Sequence, residues 1–152
     1  MIALDGPFYD ELAVGQELPR QPSITVDEGM AALYQSWVGE RLPMALDAEL
    51  SRAVTGHPGR LASPGLVMQL SIGQSTTVSR RAIANLFYRD VHLARPVFLG
   101  ESVATVVTVA ALADGSHREG RGRRGKVLVD IVTTAAGEPA VRYQRCPMLP
   151  QA

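Results

Sequence analysis

The apolar and polar positions of this chain change period several times between its ends. The first 22 residues carry Gly6, Pro7, Gly15, Pro19 and Pro22, so FYDELAVGQEL reads as an irregular lead-in draped over the surface. In SITVDEGMAALYQSWVG, Ile24 and Val26 alternate with polar residues and predict a short strand. Met30, Leu33, Tyr34 and Trp37 then recur at helical spacing, with Thr25 or Asp27 as cap and Gly39 as terminator. Residues 40 to 60 are broken by Pro43, Gly56, Pro58 and Gly59, with a small helical pattern, LDAELSRAV, between them. So long an excursion usually carries function.

The run LASPGLVMQLSIGQSTTVSRR predicts a second helix. Ser63 suits its N-cap and Pro64 its first position. From Gly65 to Ile72 only Gln69 is strongly polar, so this helix is expected to be buried on most sides, with Gly73 admitting a close neighbour. The remainder is rich in Val, Thr, Tyr and Phe: NLFYRDVHLARPV, ESVATVVTVAALA, KVLVDIVTTAA and PAVRYQRCPML. Turns are expected at Pro96 to Gly100, at Asp114 to Gly125 and at Gly137–Glu138–Pro139, and their spacing predicts antiparallel pairing. One early strand, one central helix and at least four antiparallel strands make an α+β domain, a sheet wrapped around a long helix.

Composition narrows the classes. A length of 152 residues suits one domain over 1–152, large enough to be stable without disulfides or metal. Fifteen Lys and Arg balance fifteen Asp and Glu, which gives no broad basic field for nucleic acid. A single cysteine, Cys146, excludes a disulfide framework and a cysteine zinc site. MIALDGPFYDEL has no signal-peptide pattern, and no apolar run is long enough to span a membrane. The expectation is a cytoplasmic protein with no metal or cofactor.

Taken by themselves, the candidate residues are modest. Glu40 and Arg41 follow a helix end, His57 lies in the turn TGHPGR, and His92 sits on a strand. His117 belongs to a turn and carries no assigned role. No G-x-S-x-G elbow makes Ser63 a nucleophile. The run HREGRGRRGK, residues 117 to 126, holds Arg123 and Arg124 and is the most basic patch, with no phosphate-loop motif. It reads either as a solvated hairpin loop or as a set of forks for phosphate oxygens.

The order FYDELAVGQEL, SITVDEGMAALYQSWVGERLP, GRLASPGLVMQLSIGQS and VHLARPVFLGESV resembles the MaoC-like hot-dog proteins. These are (R)-specific enoyl-CoA hydratases and acyl-CoA dehydratases, and the nearest flavour is the mesaconyl-CoA hydratase-like branch. The likeness runs from residue 8 to about 148. It implies a hot-dog fold and a substrate that is an acyl-CoA or acyl-carrier thioester. It also implies a dimer that joins sheets across its interface, either a homodimer or a heterodimer with a paralogous hot-dog subunit. Arg123 and Arg124 would then meet the phosphates of coenzyme A.

The family's catalytic stretch resembles G-D-x-N-P-x-H, with the Asp and His as an acid/base pair. A His-Gly pair opens its central helix, and the Gly amide holds the thioester oxygen. In VGERLPMALD, Gly39 and Pro43 match, but Glu40 stands for Asp, Leu42 for Asn and Ala45 for His. Ser63 and Pro64 stand for the His-Gly pair, and Pro64 has no N–H to donate. Three readings follow. The chain is a hydratase or dehydratase with Glu40 as the acid/base group, His57 assisting, and Ser63 and Gly65 holding the thioester. Or it is a silent subunit beside an intact paralogue. Or it binds an acyl thioester without transforming it. Hot-dog thioesterases share the fold and form a further possibility.

Overall fold

A computed structural model describes residues 5–115 and 122–152. A 3₁₀ turn, Tyr9–Glu11, precedes the short strand β1, Ile24–Thr25. Four helices follow: α1 Glu28–Val38, α2 Pro43–Leu46, α3 Ala48–Thr55 and α4 Pro64–Gln74. A second 3₁₀ turn, Ser75–Val78, leads into the long strands β2 Ala84–Leu93, β3 Ser102–Asp114, β4 Arg124–Ala135 and β5 Glu138–Pro150. The strands form one antiparallel sheet in the order β1-β3-β4-β5-β2. This is the α+β arrangement expected, with α4 packed against β3 and β5.

Local signals set most boundaries. Asp27 caps α1 by accepting from the Met30 amide at 2.8 Å, and Gly39 ends the helix in the left-handed region at φ 62°. Asp47 caps α3 through the Glu49 and Leu50 amides. The β4–β5 turn is tighter than expected. Ala136 and Gly137 both have positive φ, as a two-residue hairpin requires, and Pro139 already lies in β5 opposite Thr134. Pro139 and Pro147 cannot donate to a ladder, and both fall beside register shifts.

The core lies between α4 and the sheet. Val103, Val107 and Val109 of β3, Val127, Val129 and Ile131 of β4, and Val141 and Tyr143 of β5 meet Leu66 and Val67 of α4. The stripe on α1 is divided: Met30 and Tyr34 pack against the core, while Leu33 is 59% and Trp37 84% exposed. One expectation fails here. Gly73 faces open space, against the expectation of a close neighbour, while the glycine of α4 pressed by a neighbour is Gly65. Edge strand β2 is exposed along its whole length, including Phe87, Tyr88, Val91 and Leu93.

Polar groups also run beneath α4. Ser71 Oγ lies 2.5 Å from Thr133 Oγ1, which lies 2.8 Å from Thr105 Oγ1. Thr105 donates to Gln74 Oε1 at 2.7 Å, and Gln74 Nε2 donates to the Pro22 carbonyl at 2.8 Å. Arg145, 3% exposed, donates to Ser75, Ser79 and Asn85.

Candidate functional site

Two segments meet at the start of α4. Residues 60 to 62 pair with 97 to 99 through Ala62 N–H to Val97 O and Leu99 N–H to Arg60 O, both at 2.9 Å. This fixes Ser63 at the helix entrance. The loop after α1 is held from the other side. Gln35 Nε2 donates to the Ala45 carbonyl at 2.7 Å, and Arg60 reaches the same carbonyl while its other branch pairs with Glu28. Ala45, where the resembled family has histidine, is fully buried.

The structure brings Glu40 and Ser63 together: the Ser63 hydroxyl donates to Glu40 Oε2. Glu40 Oε1 accepts from the Arg41 amide at 2.8 Å and the Leu42 amide at 2.9 Å. The Ser63 hydroxyl, the Leu42 amide and the Arg41 amide together hold the Glu40 carboxyl below its ordinary range, with partial desolvation opposing them. Glu40 is therefore an ionised, oriented acceptor at neutral pH. The capping role expected of Ser63 is corrected by the same contact. It stands at the N-cap position of α4 but makes no side-chain cap bond, and its hydroxyl is turned to donate to Glu40 instead.

That choice leaves the helix entrance open. Pro64 has no N–H, and the Gly65 and Leu66 amides find no acceptor among the described residues; the first helix amide that does is Val67, bonded to Ser63 O at 3.1 Å. Gly65 packs under Tyr34, and a Cβ there would lie 2.0 Å from the Tyr34 hydroxyl oxygen. Sequence reasoning missed Tyr34, reading it as one more residue of an apolar stripe. Its hydroxyl direction comes from how α1 docks, which carries no local signal.

Beside this entrance is an apolar hollow of about 330 Å³, lined by Leu42, Met44, Ala62, Pro64, Val67 and Val141 among others. Its charged wall residue, Arg95, is engaged by both oxygens of Glu101 and by the Pro96 carbonyl. A larger hollow of about 510 Å³ lies by Asp5, Gln21, Thr77 and Arg80, and it contains none of the candidate residues.

The other candidates lie apart. His57 stacks on Phe98 at 3.8 Å, and its Nδ1 accepts from the Gly59 amide at 3.0 Å. No hydrogen bond joins His57 to Glu40 or Ser63, so its visible part is to fold the turn. Arg124 opens β4 opposite Pro150, and the Arg123 carbonyl accepts from Gln151. Val141, in the hollow, and Pro150 lie at opposite ends of β5, about 30 Å apart at the rise of a strand. Within one chain, Arg123 and Arg124 do not reach the entrance of α4. His117 and the rest of the basic run through residue 121 lie outside the described residues. His92 is exposed on β2. Burial raises the Cys146 thiol above its ordinary range, which argues against a nucleophile. No cluster of three or more metal-ligating side chains occurs among the described residues, and none of their helices is long and apolar enough to cross a membrane.

Comparison with known proteins puts these features in context. No family model matches the chain. It is 27% identical over 146 residues to mesaconyl-CoA hydratase of Cereibacter sphaeroides, covering 95% of this chain and 41% of that protein. Among solved structures, it is 40% identical to a conserved hypothetical protein of Mycobacterium tuberculosis with a double hotdog fold, at TM-score 0.94 over 99% of this chain and 46% of that one. A MaoC domain protein dehydratase from Chloroflexus aurantiacus matches at TM-score 0.87 and 24% identity, over 98% of this chain and 42% of that one. The fold is the hot-dog fold. The chain is a hot-dog domain, and it spans about half the length of each of these relatives.

Proposed function

We propose that the chain is the hydratase/dehydratase-type unit of a MaoC-like protein, adding water across the double bond of an enoyl-CoA thioester or removing it from the 3-hydroxyacyl form. The observation that carries this reading is the Glu40–Ser63 contact at the entrance of α4, beside an apolar hollow suited to an acyl tail. A mesaconyl-CoA hydratase among its relatives agrees with it.

A carboxylate offers about four acceptor positions, and Glu40 uses three. The fourth is free for a water. As that water's oxygen bonds to C3 of the enoyl group, Glu40 takes its proton and the π electrons move to the thioester oxygen. The enolate then collapses, and C2 receives the proton back from Glu40. One carboxylate thus serves both ends of the double bond, which is how a site with Ala45 in place of histidine can turn over. Each positioned acid/base group contributes roughly 10²–10⁴-fold, so the rate is expected to be below that of a two-group site.

We further propose that a second hot-dog unit, a copy or a paralogue, pairs with the exposed edge of β2. Its apolar residues and the half-length match to the relatives support this. The test offers the purified protein a panel of enoyl-CoA thioesters and follows loss of conjugation, with Glu40→Gln beside it. Turnover that Glu40→Gln lowers at least 10²-fold is the expected result. Turnover unchanged by Glu40→Gln would remove Glu40 from the chemistry. Acyl-CoA binding with no turnover in either protein would leave a thioester-holding unit.

A further inference from the structure

The departures of this site from the resembled family leave one requirement unmet. Negative charge gathers on the thioester oxygen as water adds, and Pro64 sits where a donor is needed with no N–H to give. Serine does not fill the gap, because the proton of Ser63 is committed to Glu40. Arg60 and Arg95 do not fill it either. The first is held by Ala45 O and Glu28, the second by Glu101 and Pro96 O.

We infer that Tyr34 is a catalytic residue: its hydroxyl donates to the thioester oxygen at the entrance of α4, together with the Gly65 amide. The inference rests on the hydratase reading above and deepens it. Its geometric basis is the crowding at Gly65. A Cβ built on Gly65 would lie 2.0 Å from the Tyr34 hydroxyl oxygen, 3.1 Å from Tyr34 Cζ and 3.7 Å from Ser63 Oγ. The phenol oxygen is therefore seated against the Gly65 backbone beside Ser63, at the helix start whose Gly65 and Leu66 amides lack partners among the described residues.

The hydroxyl itself also makes no hydrogen bond among the described residues, although Tyr34 is half-buried and Gly65 admits it only because it lacks a side chain. Among the described residues Tyr34 Oη is not one of the side-chain atoms buried without a partner, so it stays open to a ligand that reaches the helix entrance. An oxygen that bears charge only as the reaction proceeds belongs to such a ligand. Because α1 and α4 fix the two donors before substrate arrives, little reorganisation is needed when the charge appears. No proton is transferred to the thioester oxygen, and the acid/base step stays with Glu40.

Two measurements on Tyr34→Phe test this, with the folded state checked by its denaturation midpoint. Turnover of an enoyl-CoA is the first: kcat is expected to fall about 10²-fold with KM nearly unchanged, as for loss of one oxyanion donor. The second does not need turnover. Wild-type protein is expected to bind butyryl-CoA about fivefold more tightly than the S-butyl-CoA thioether, which lacks the carbonyl oxygen, in line with one net hydrogen bond. Tyr34→Phe is expected to erase that preference. An unchanged kcat, or a thioester preference that survives the substitution, overturns the role of Tyr34 while leaving the hydratase reading standing. If wild-type protein binds neither ligand, the hydratase reading fails and the inference falls with it.

Discussion

At the scale of single residues, Glu40 is a carboxylate surrounded by donors, and its titration follows from them. Its folded-state pKa is depressed by the Ser63 hydroxyl and the Leu42 and Arg41 amides. A depressed carboxyl contributes stability above its unfolded pKa and loses it as pH falls through the folded value. The loop 39–45 should therefore keep its geometry into acid below the usual carboxylate range. In a pH–kcat/KM profile, the acid limb is expected below that range. Ser63→Ala removes the largest contributor, so the limb should move toward higher pH, measured on the same substrate. An unmoved limb would mean that another group controls it. The family resemblance singled out Glu40 and Ser63, but a side-chain contact across 23 positions has no periodic trace in the sequence. His57 illustrates the opposite case. A histidine between Gly56 and Pro58 looks available, yet its ring is already occupied by Phe98 and the Gly59 amide.

Elements behave as their caps dictate. Removing the Asp27 carboxylate, which bonds the Met30 amide, should cost about 1 kcal/mol of stability in Asp27→Ala, read from urea unfolding. The Asp27 and Gly39 ends of α1 were legible because they depend on neighbours a few residues away, whereas Ser63 at the start of α4 turns to the distant Glu40. Burial was less legible. The 3.6-residue stripe of α1 is real, but Leu33 and Trp37 lie on a face the described residues leave uncovered. Nor did any pattern announce the polar seam under α4, because a buried Thr on a strand looks like any other alternating residue. Arg145 is the most consequential member of that layer. It has no carboxylate partner within salt-bridge distance among the described residues, and its donors go to the neutral oxygens of Ser75, Ser79 and Asn85 near the C-terminal end of α4. The negative end of the helix dipole offsets part of its charge. Arg145→Met keeps most of the volume but strips those bonds, so a loss of about 2–3 kcal/mol is expected from the shift in urea midpoint. A loss under half of that would show that water replaces the guanidinium easily.

For the whole molecule, the sheet has two unequal edges. One is closed by β1 and by residues of the lead-in, since the Gly15 and Leu18 amides donate to the Val109 and Val107 carbonyls of β3. The other, β2, offers Phe87, Tyr88, Val91 and Leu93 to solvent at 40% exposure or more, and carries a bulge with Asp90 at positive φ. A long edge with exposed apolar residues offers itself for strand addition, although Arg89, Asp90 and the bulge partly blunt it. The occupant proposed for that edge is a second unit of the same fold, and the relative with a double hotdog fold is about twice as long as this chain. Val91 does not line the hollow of Val67 and Val141, and its side chain is half exposed, so a charge there should not disturb the core. The expected outcome for Val91→Lys is a protein with an unchanged denaturation curve at low concentration and a sedimentation coefficient reduced to that of one chain. If the wild-type chain already sediments as a monomer at micromolar concentration, self-pairing through β2 is excluded, and a paralogous partner becomes the arrangement to seek by mixing the two chains.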